Sequence, residues 1–121
     1  MAKKVLIIDD SAVTCGMLTE RIRSGGYDAI SANDGEQGLE LMRKELPDLV
    51  LLDVRMPGTD GFEVCRLAKS DLLMKDIPIV FVTTAGQQKD IDKGNQLGAS
   101  GYITKPYDGI LLLEEIKRLI G

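Results

Sequence analysis

Three aspartates at two places in the chain have the spacing to act together. Asp9 and Asp10 follow the apolar run Val5-Leu6-Ile7-Ile8, and Asp53 ends the run Leu49-Val50-Leu51-Leu52. A continuous apolar run of this length reads as a strand buried on both faces, as in a parallel sheet. The carboxyl ends of such strands form the ligand-binding edge of open α/β sheets. If the two strands are neighbours, three carboxylates meet at that edge. At about 4 Å and an effective dielectric near 20, each pair repels by roughly 4 kcal/mol. The cluster then needs a protonated carboxyl or a divalent cation. Hard oxygen ligands suit Mg²⁺ best, with Ca²⁺ or Mn²⁺ as substitutes. Asp34 and Asp60, each followed by glycine, read instead as helix caps.

Two more polar groups end apolar strands. Thr83 closes Ile79-Val80-Phe81-Val82, and Lys105 follows Tyr102-Ile103-Thr104. The edge then offers a metal cluster, a hydroxyl and an ammonium, a set that a tetrahedral oxyanion would use in full. Lys105 would also neutralise a carboxylate when no anion is bound. Asp53 is placed to act as a nucleophile, because a carboxylate attacking phosphorus gives an acyl phosphate. Positive charge around the transferring group is most of what phosphoryl transfer requires.

Composition narrows the alternatives. The chain has 121 residues, 44% of them hydrophobic, and a formal net charge of −4, which fits one domain with a full core. No basic block is present, so direct nucleic-acid binding is not expected. No signal peptide is legible and no apolar stretch could span a bilayer, so the expected setting is the cytoplasm, off the membrane. Met1 reads as a native amino terminus, whereas Gly121 decides nothing; a complete protein and a domain cut from a longer one both fit. Histidine is absent, which removes Ser-His-Asp hydrolysis, His-ligated zinc and a phosphohistidine carrier. Cys15 and Cys65 should lie on opposite faces of the sheet as reduced, packing thiols.

Strands and helices must alternate to position these groups. The first strand is Lys4–Ile8, followed by a helix capped by Ser11 and running to about Arg23, with Val13, Met17, Leu18 and Ile22 as its apolar side. A second strand covers Tyr27–Ser31. Asn33-Asp34-Gly35 caps a helix carrying Leu39, Leu41, Met42 and Leu46, with Gly38 as a local weakness. The third strand runs from Pro47-Asp48 to Asp53. The next helix is Phe62–Lys69, with Phe62, Val64, Cys65, Leu67 and Ala68 apolar. Ile79–Thr83 is the fourth strand. A weak helix spans about Gln87 to Leu97, with Gly94 inside it and Ile91 and Leu97 as its clear apolar residues. Gly98 to Gly101 is a loop, Tyr102–Thr104 the fifth strand, and about Gly109 to Ile120 the last helix. Five alternations build a doubly wound parallel sheet with helices on both faces. The flavodoxin-like order 2-1-3-4-5 puts strands 1 and 3 together at the switch point.

Asp9-Asp10-Ser11, the loop from Asp53 through Met56-Pro57-Gly58 to Asp60-Gly61, Thr83, and Gly101-Tyr102-Ile103 before Lys105-Pro106 together resemble the receiver domain of bacterial two-component response regulators. The resemblance spans the whole chain, and the chemotaxis member of that family has this strand order. It implies that Asp53 accepts a phosphoryl group from a sensor histidine kinase or a phosphotransfer protein. Asp10, Asp53 and the backbone carbonyl of Arg55 would hold Mg²⁺, with Asp9 reaching it through water. Thr83 and Lys105 would hold phosphoryl oxygens, and the Lys105–Pro106 bond would be cis. Tyr102 would swing inward as Thr83 moves, a switch rather than a half-buried edge tyrosine. The face of the fourth helix, fifth strand and fifth helix, with Lys89, Asp92, Asn95 and Tyr102, would meet a downstream target or output domain, and low local stability there suits switching. A phosphorylation-dependent dimer is compatible with this without being specified.

Such a domain phosphorylates and dephosphorylates itself rather than turning over substrate. Thr84 stands where the family often has Ala or Gly, and could narrow access. Arg55 and Ala85 lie at positions that influence dephosphorylation. Ala85 has no polar group to orient water, so a long-lived phosphorylated form is expected. The rival readings are a flavodoxin-like cofactor binder and a phosphatase with an aspartate nucleophile. The first would need a hydroxyl-rich phosphate loop where Asp9-Asp10 stands. The second would need an acid where Arg55 stands.

Overall fold

The apolar runs become strands because helices cover both of their faces. A computed structural model describes residues 2–121; Met1 lies outside the described residues. Within them, β1 (Lys4–Ile8), β2 (Asp28–Ala32), β3 (Leu49–Leu52), β4 (Ile79–Thr83) and β5 (Gly101–Thr104) form one parallel sheet in the order β2-β1-β3-β4-β5. The helices α1 (Ala12–Ser24), α2 (Gly35–Glu45), α3 (Gly61–Lys69), α4 (Gln88–Gln96) and α5 (Gly109–Ile120) alternate with the strands. This is the expected doubly wound architecture. Ile8 pairs with Leu52 across β1 and β3, so the residues that follow them, Asp9 and Asp53, emerge side by side.

Side-chain alternation along the strands splits the core into two layers. Leu6, Ile8, Val50, Leu52 and Phe81 pack with Met42 of α2 and with Val64, Cys65 and Ala68 of α3. Val5, Ile7, Leu49, Leu51 and Val82 pack with Cys15, Leu18 and Ile22 of α1 and with Leu112 and Ile116 of α5. Cys15 and Cys65 thus lie in different layers, and both are free and buried. Among the described residues, no helix is long and apolar enough to cross a membrane.

The caps fall where side-chain chemistry requires them. Ser11 Oγ accepts the Thr14 amide at 3.2 Å, Asp34 accepts Gln37 at 2.7 Å and Asp60 accepts Glu63 at 2.9 Å. Asp34 and Asp60 are therefore spent on helix starts.

Several boundaries and faces depart from the sequence reading. The second strand is Asp28–Ala32, not Tyr27–Ser31. The Tyr27 amide still donates to Ile22 at the end of α1, and the ladder begins with Asp28 donating to Lys3. Gly101 belongs to β5, paired with Val80, rather than to the preceding loop. Val13 and Met17 are exposed, because Cys15, Leu18 and Ile22 form the stripe that faces the sheet. Leu67 is exposed, turned away from the α3 side that Cys65 and Ala68 bury. Leu46 is also exposed, since it ends α2 in the left-handed region at φ 43°.

Two helical glycines show how the same residue type has opposite meanings. A Cβ built on Gly16 of α1 meets nothing within 4 Å, whereas one on Gly38 of α2 would lie 2.6 Å from Ile8 Cδ1. Gly16→Ala should raise stability by about 0.5–1 kcal/mol, the usual cost of glycine in a helix. Gly38→Ala should lower it by about 1–3 kcal/mol, because overpacking outweighs propensity. Urea unfolding of both variants decides this, and a gain in each would mean that Ile8 turns aside freely. Gly38 is thus a seat for Ile8 rather than a weakness.

Candidate functional site

The switch point between β1 and β3 brings the acidic residues together. Asp53 stands one residue past β3, and its amide still donates to Ile8 at 2.9 Å. Asp9 stands one residue past β1, with its amide donating to Ala32 at 3.1 Å. Backbone ladders on both sides therefore hold the two aspartates in place. Asp9 and Asp53 are buried and Asp10 is exposed, and one ligand oxygen from each lies within 4.8 Å of the others.

Lys105 closes the pocket from β5. Its Nζ donates to Asp9 Oδ2 at 2.8 Å and lies 3.5 Å from Asp53 Oδ2. Asp9 Oδ1 accepts the Ser11 amide at 2.9 Å. The Arg55 amide lies 3.4 Å from Asp53 Oδ1, while the Arg55 side chain is exposed. Burial pushes the Asp9 carboxyl above its ordinary range, against the pull of Lys105 and the Ser11 amide. Burial alone would lower Lys105, but the Asp9 hydrogen bond and both carboxylate charges outweigh it and hold the ammonium above its usual value. Lys105 thus remains a cation shared by Asp9 and Asp53, and one ammonium against three acidic side chains leaves a formal excess of negative charge.

A single hard divalent cation fits that excess. Two oxygens on opposite sides of Mg²⁺ lie about 4 Å apart, and about 5 Å for Ca²⁺, so these carboxylates are within reach of one ion. The donor set is all oxygen, which Mg²⁺ prefers over soft or nitrogen-rich sites.

Thr83 and Tyr102 connect the pocket to the face beyond it. Thr83 is fully buried, its carbonyl accepts the Lys105 amide at 2.8 Å, and its Oγ1 accepts the Ala85 amide at 3.2 Å. The Lys105–Pro106 bond is cis, the isomer that the resemblance implies. Tyr102 packs on Phe81 with ring centroids 5.5 Å apart, and its hydroxyl donates to the Ala85 carbonyl. Burial, with Asp90 and Asp53 nearby, pushes the Tyr102 phenol up to about 12, so it is a neutral donor at ordinary pH. Thr84 is exposed. Ala85 is buried in the layer of Phe62 and Phe81, and its methyl packs in that core.

A model of the response regulator receiver domain matches residues 5–117. The chain belongs to the response regulator receiver domain family. As a receiver domain it is a phosphoacceptor module of two-component signalling. It is 38% identical to the protein PilH of Pseudomonas aeruginosa over 118 residues, covering 98% of both chains. It is 36% identical to the response regulator PleD of Caulobacter vibrioides over 119 residues, 98% of this chain but 26% of that protein. The receiver thus spans about a quarter of PleD and nearly all of PilH. Among solved structures, the chemotaxis protein CheY4 of Vibrio cholerae superposes with a TM-score of 0.92 at 30% identity, covering 98% of this chain and 99% of that one.

Sequence reasoning missed one contributor to the receiver's site. A Cβ on Gly61 would lie 2.0 Å from the Asp53 carbonyl oxygen, and the Gly61 amide donates to Val54 at 2.8 Å. The first turn of α3 thus rests directly on the backbone that carries Asp53. The signal was a glycine at the first helical position, where close approach rather than capping is the reason for it.

Proposed function

We propose that Asp53 is the phosphoacceptor, charged by a sensor histidine kinase or a phosphotransfer protein. The observation that supports this most is the Lys105 ammonium bridging Asp9 and Asp53 inside a three-carboxylate pocket, in a chain of the receiver family. An Asp53 carboxylate oxygen attacks phosphorus as the bond from phosphorus to the donor's imidazole nitrogen breaks. The electron pair of that bond returns to the imidazole, and Asp53 becomes an acyl phosphate. Lys105 and the Thr83 hydroxyl hold the transferred oxygens, while Asp9 keeps Lys105 oriented. Mg²⁺ held by Asp10, Asp53 and the Arg55 carbonyl, with Asp9 through water, would supply positive charge against those oxygens.

Thr83 and Tyr102 then report the phosphoryl group to the face of α4, β5 and α5. There a target protein or an output domain would bind, and a dimer formed on phosphorylation would use the same face. The cytoplasm is the setting that such partners require. The domain acts as a signalling module and not as a turnover enzyme.

Incubation with Mg²⁺ and acetyl phosphate should add one phosphoryl group, seen as an intact-mass gain and located at Asp53 after borohydride reduction of the acyl phosphate. Modification elsewhere, or none with Mg²⁺ present, would refute the assignment. Phosphoryl loss should be slow, since buried Ala85 has no polar group to orient an attacking water near Asp53. Ala85→Asn, which adds a polar group at this position, is the probe. It should speed loss by about tenfold or more, below the range of roughly 10²–10⁴ for a well-placed acid–base group. Equal decay rates for the two proteins would count against this.

A further inference from the structure

Helix α4 meets the body of the protein at a residue without a side chain. Gly94 is the buried residue of α4. A Cβ built there would lie 3.0 and 3.1 Å from Cδ2 and Cε2 of Tyr102 and 3.2 Å from Cδ2 of Phe81. Comfortable carbon–carbon contact begins near about 3.5 Å, so a methyl group fits only if a ring gives way. Phe81 is fully buried and packs edge-on against Phe62 with centroids 5.3 Å apart; it has nowhere to go. Tyr102 is partly buried on the edge strand β5, so its ring has solvent to swing into.

What holds Tyr102 inward is its hydroxyl on the Ala85 carbonyl. Ala85 is in turn tied to Thr83 Oγ1 through its amide. Ring, loop and hydroxyl form one connected set, and α4 supplies the wall against which the ring lies.

We infer that Gly94 is a positioning residue for the phosphoacceptor site. Its missing side chain opens the slot that the Tyr102 ring fills, so this position sets the inward–outward balance of the ring. Through Ala85 and Thr83 it also sets the affinity of the pocket for a phosphoryl group. The inference rests on the reading of Tyr102 as a switch and deepens it. A merely structural glycine would behave differently. Alanine is the better helix former, so Gly94→Ala recovers in helix stability part of what is lost when the ring leaves its slot. Overall stability therefore changes little while the ring changes place.

The experiment uses the whole chain with ¹³C-labelled tyrosine rings, the Tyr102 signal being assigned by its loss in Tyr102→Phe. In the parent protein, the Phe81 ring current should displace the Tyr102 ring protons from solvent values. In Gly94→Ala they should move toward those values, with the Tm within about 5 °C of the parent, a shift ordinarily produced by a small stability change. Titration with beryllofluoride and Mg²⁺, followed by amide shifts, should show an apparent Kd about tenfold higher if the inward population falls to roughly a tenth.

Adding Gly94→Ala to a Tyr102→Ala chain, where no ring is left to displace, should cost no further affinity. Unmoved Tyr102 signals, an equal affinity loss in both backgrounds, or a Gly94→Ala chain that fails to fold each overturn the inference. If Tyr102→Ala alone weakens beryllofluoride binding while Gly94→Ala does not, the switch stands and only the role of Gly94 falls. If Tyr102→Ala has no effect on binding, both fall together.

Discussion

Asp53→Asn is expected to form no acyl phosphate and yet to be the more stable protein when Mg²⁺ is absent. The amide is isosteric with the carboxylate and lacks the anionic oxygen that must attack phosphorus, so phosphoryl transfer at this position ends. Stability moves the other way. Asp53 shares a pocket with Asp9 and Asp10, with ligand oxygens within 4.8 Å of one another, and is offset by one ammonium 3.5 Å away. Removing its charge relieves the repulsion from Asp9 and Asp10 and forfeits one attraction to Lys105, and the expected balance is a small gain in stability. Adding Mg²⁺ should reverse the ranking, because an ion that binds the folded wild type stabilises it in proportion to the logarithm of its concentration over Kd. Thermal unfolding of both proteins with Mg²⁺ and with a chelator measures the crossing. If Asp53→Asn is the less stable protein in chelator, the Lys105 pairing outweighs the repulsion and the electrostatic account fails. Sites of this kind trade stability for function.

Gly61→Ala should damage the site from beneath it. The added Cβ would lie 2.0 Å from the Asp53 carbonyl oxygen and 2.8 Å from the Val54 Cα. Both neighbours are backbone, so no rotamer change relieves the contact. Either α3 lifts or the end of β3 bends. Overpacking of this kind costs about 1–3 kcal/mol and occasionally more. A displacement of about 1 Å at a reacting group is enough to slow a reaction roughly 10²-fold. Acetyl phosphate labelling of Gly61→Ala should therefore fall by about that factor, even at temperatures where circular dichroism shows a folded chain. Gly58, at φ 76° in the preceding loop with nothing within 4 Å of a built Cβ, provides the control. Its replacement by Asn, which tolerates that region, should leave labelling near the parent rate. Equal labelling of Gly61→Ala and the parent would show that β3 and α3 can separate without moving Asp53.

The contrast between these residues marks what was legible in the chain alone. Alternating strands and helices follow from the apolar runs and their breakers, and the strand order places two acidic strand ends together. Asp9, Asp10, Asp53 and Thr83 could be picked out because a charged or hydroxyl residue at the end of an apolar run stands at the rim of a buried sheet, and Lys105 because it directly follows the last strand, before a proline. Asp34 and Asp60 could be set aside because capping has a local signature of its own. These are one-dimensional facts: periodicity, punctuation, and the type of residue at a strand tip.

Other features depend on distances between segments remote in sequence, and no window of sequence holds them. Val13 and Leu18 look alike in an apolar stripe, yet only the docking of α1 on the sheet decides that the first is exposed and the second buried. Gly16, Gly38, Gly61 and Gly94 are the same residue near or inside helices. Their meanings are an open surface, a seat for Ile8, a seat for the Asp53 backbone and a slot beside Tyr102. Propensity reads each simply as a poor helix former, because what matters is the atom that comes close from another element. The division of Lys105 between Asp9 and Asp53 is likewise tertiary. It depends on how far β5 stands from β1 across two intervening strands, and packing alone sets that separation.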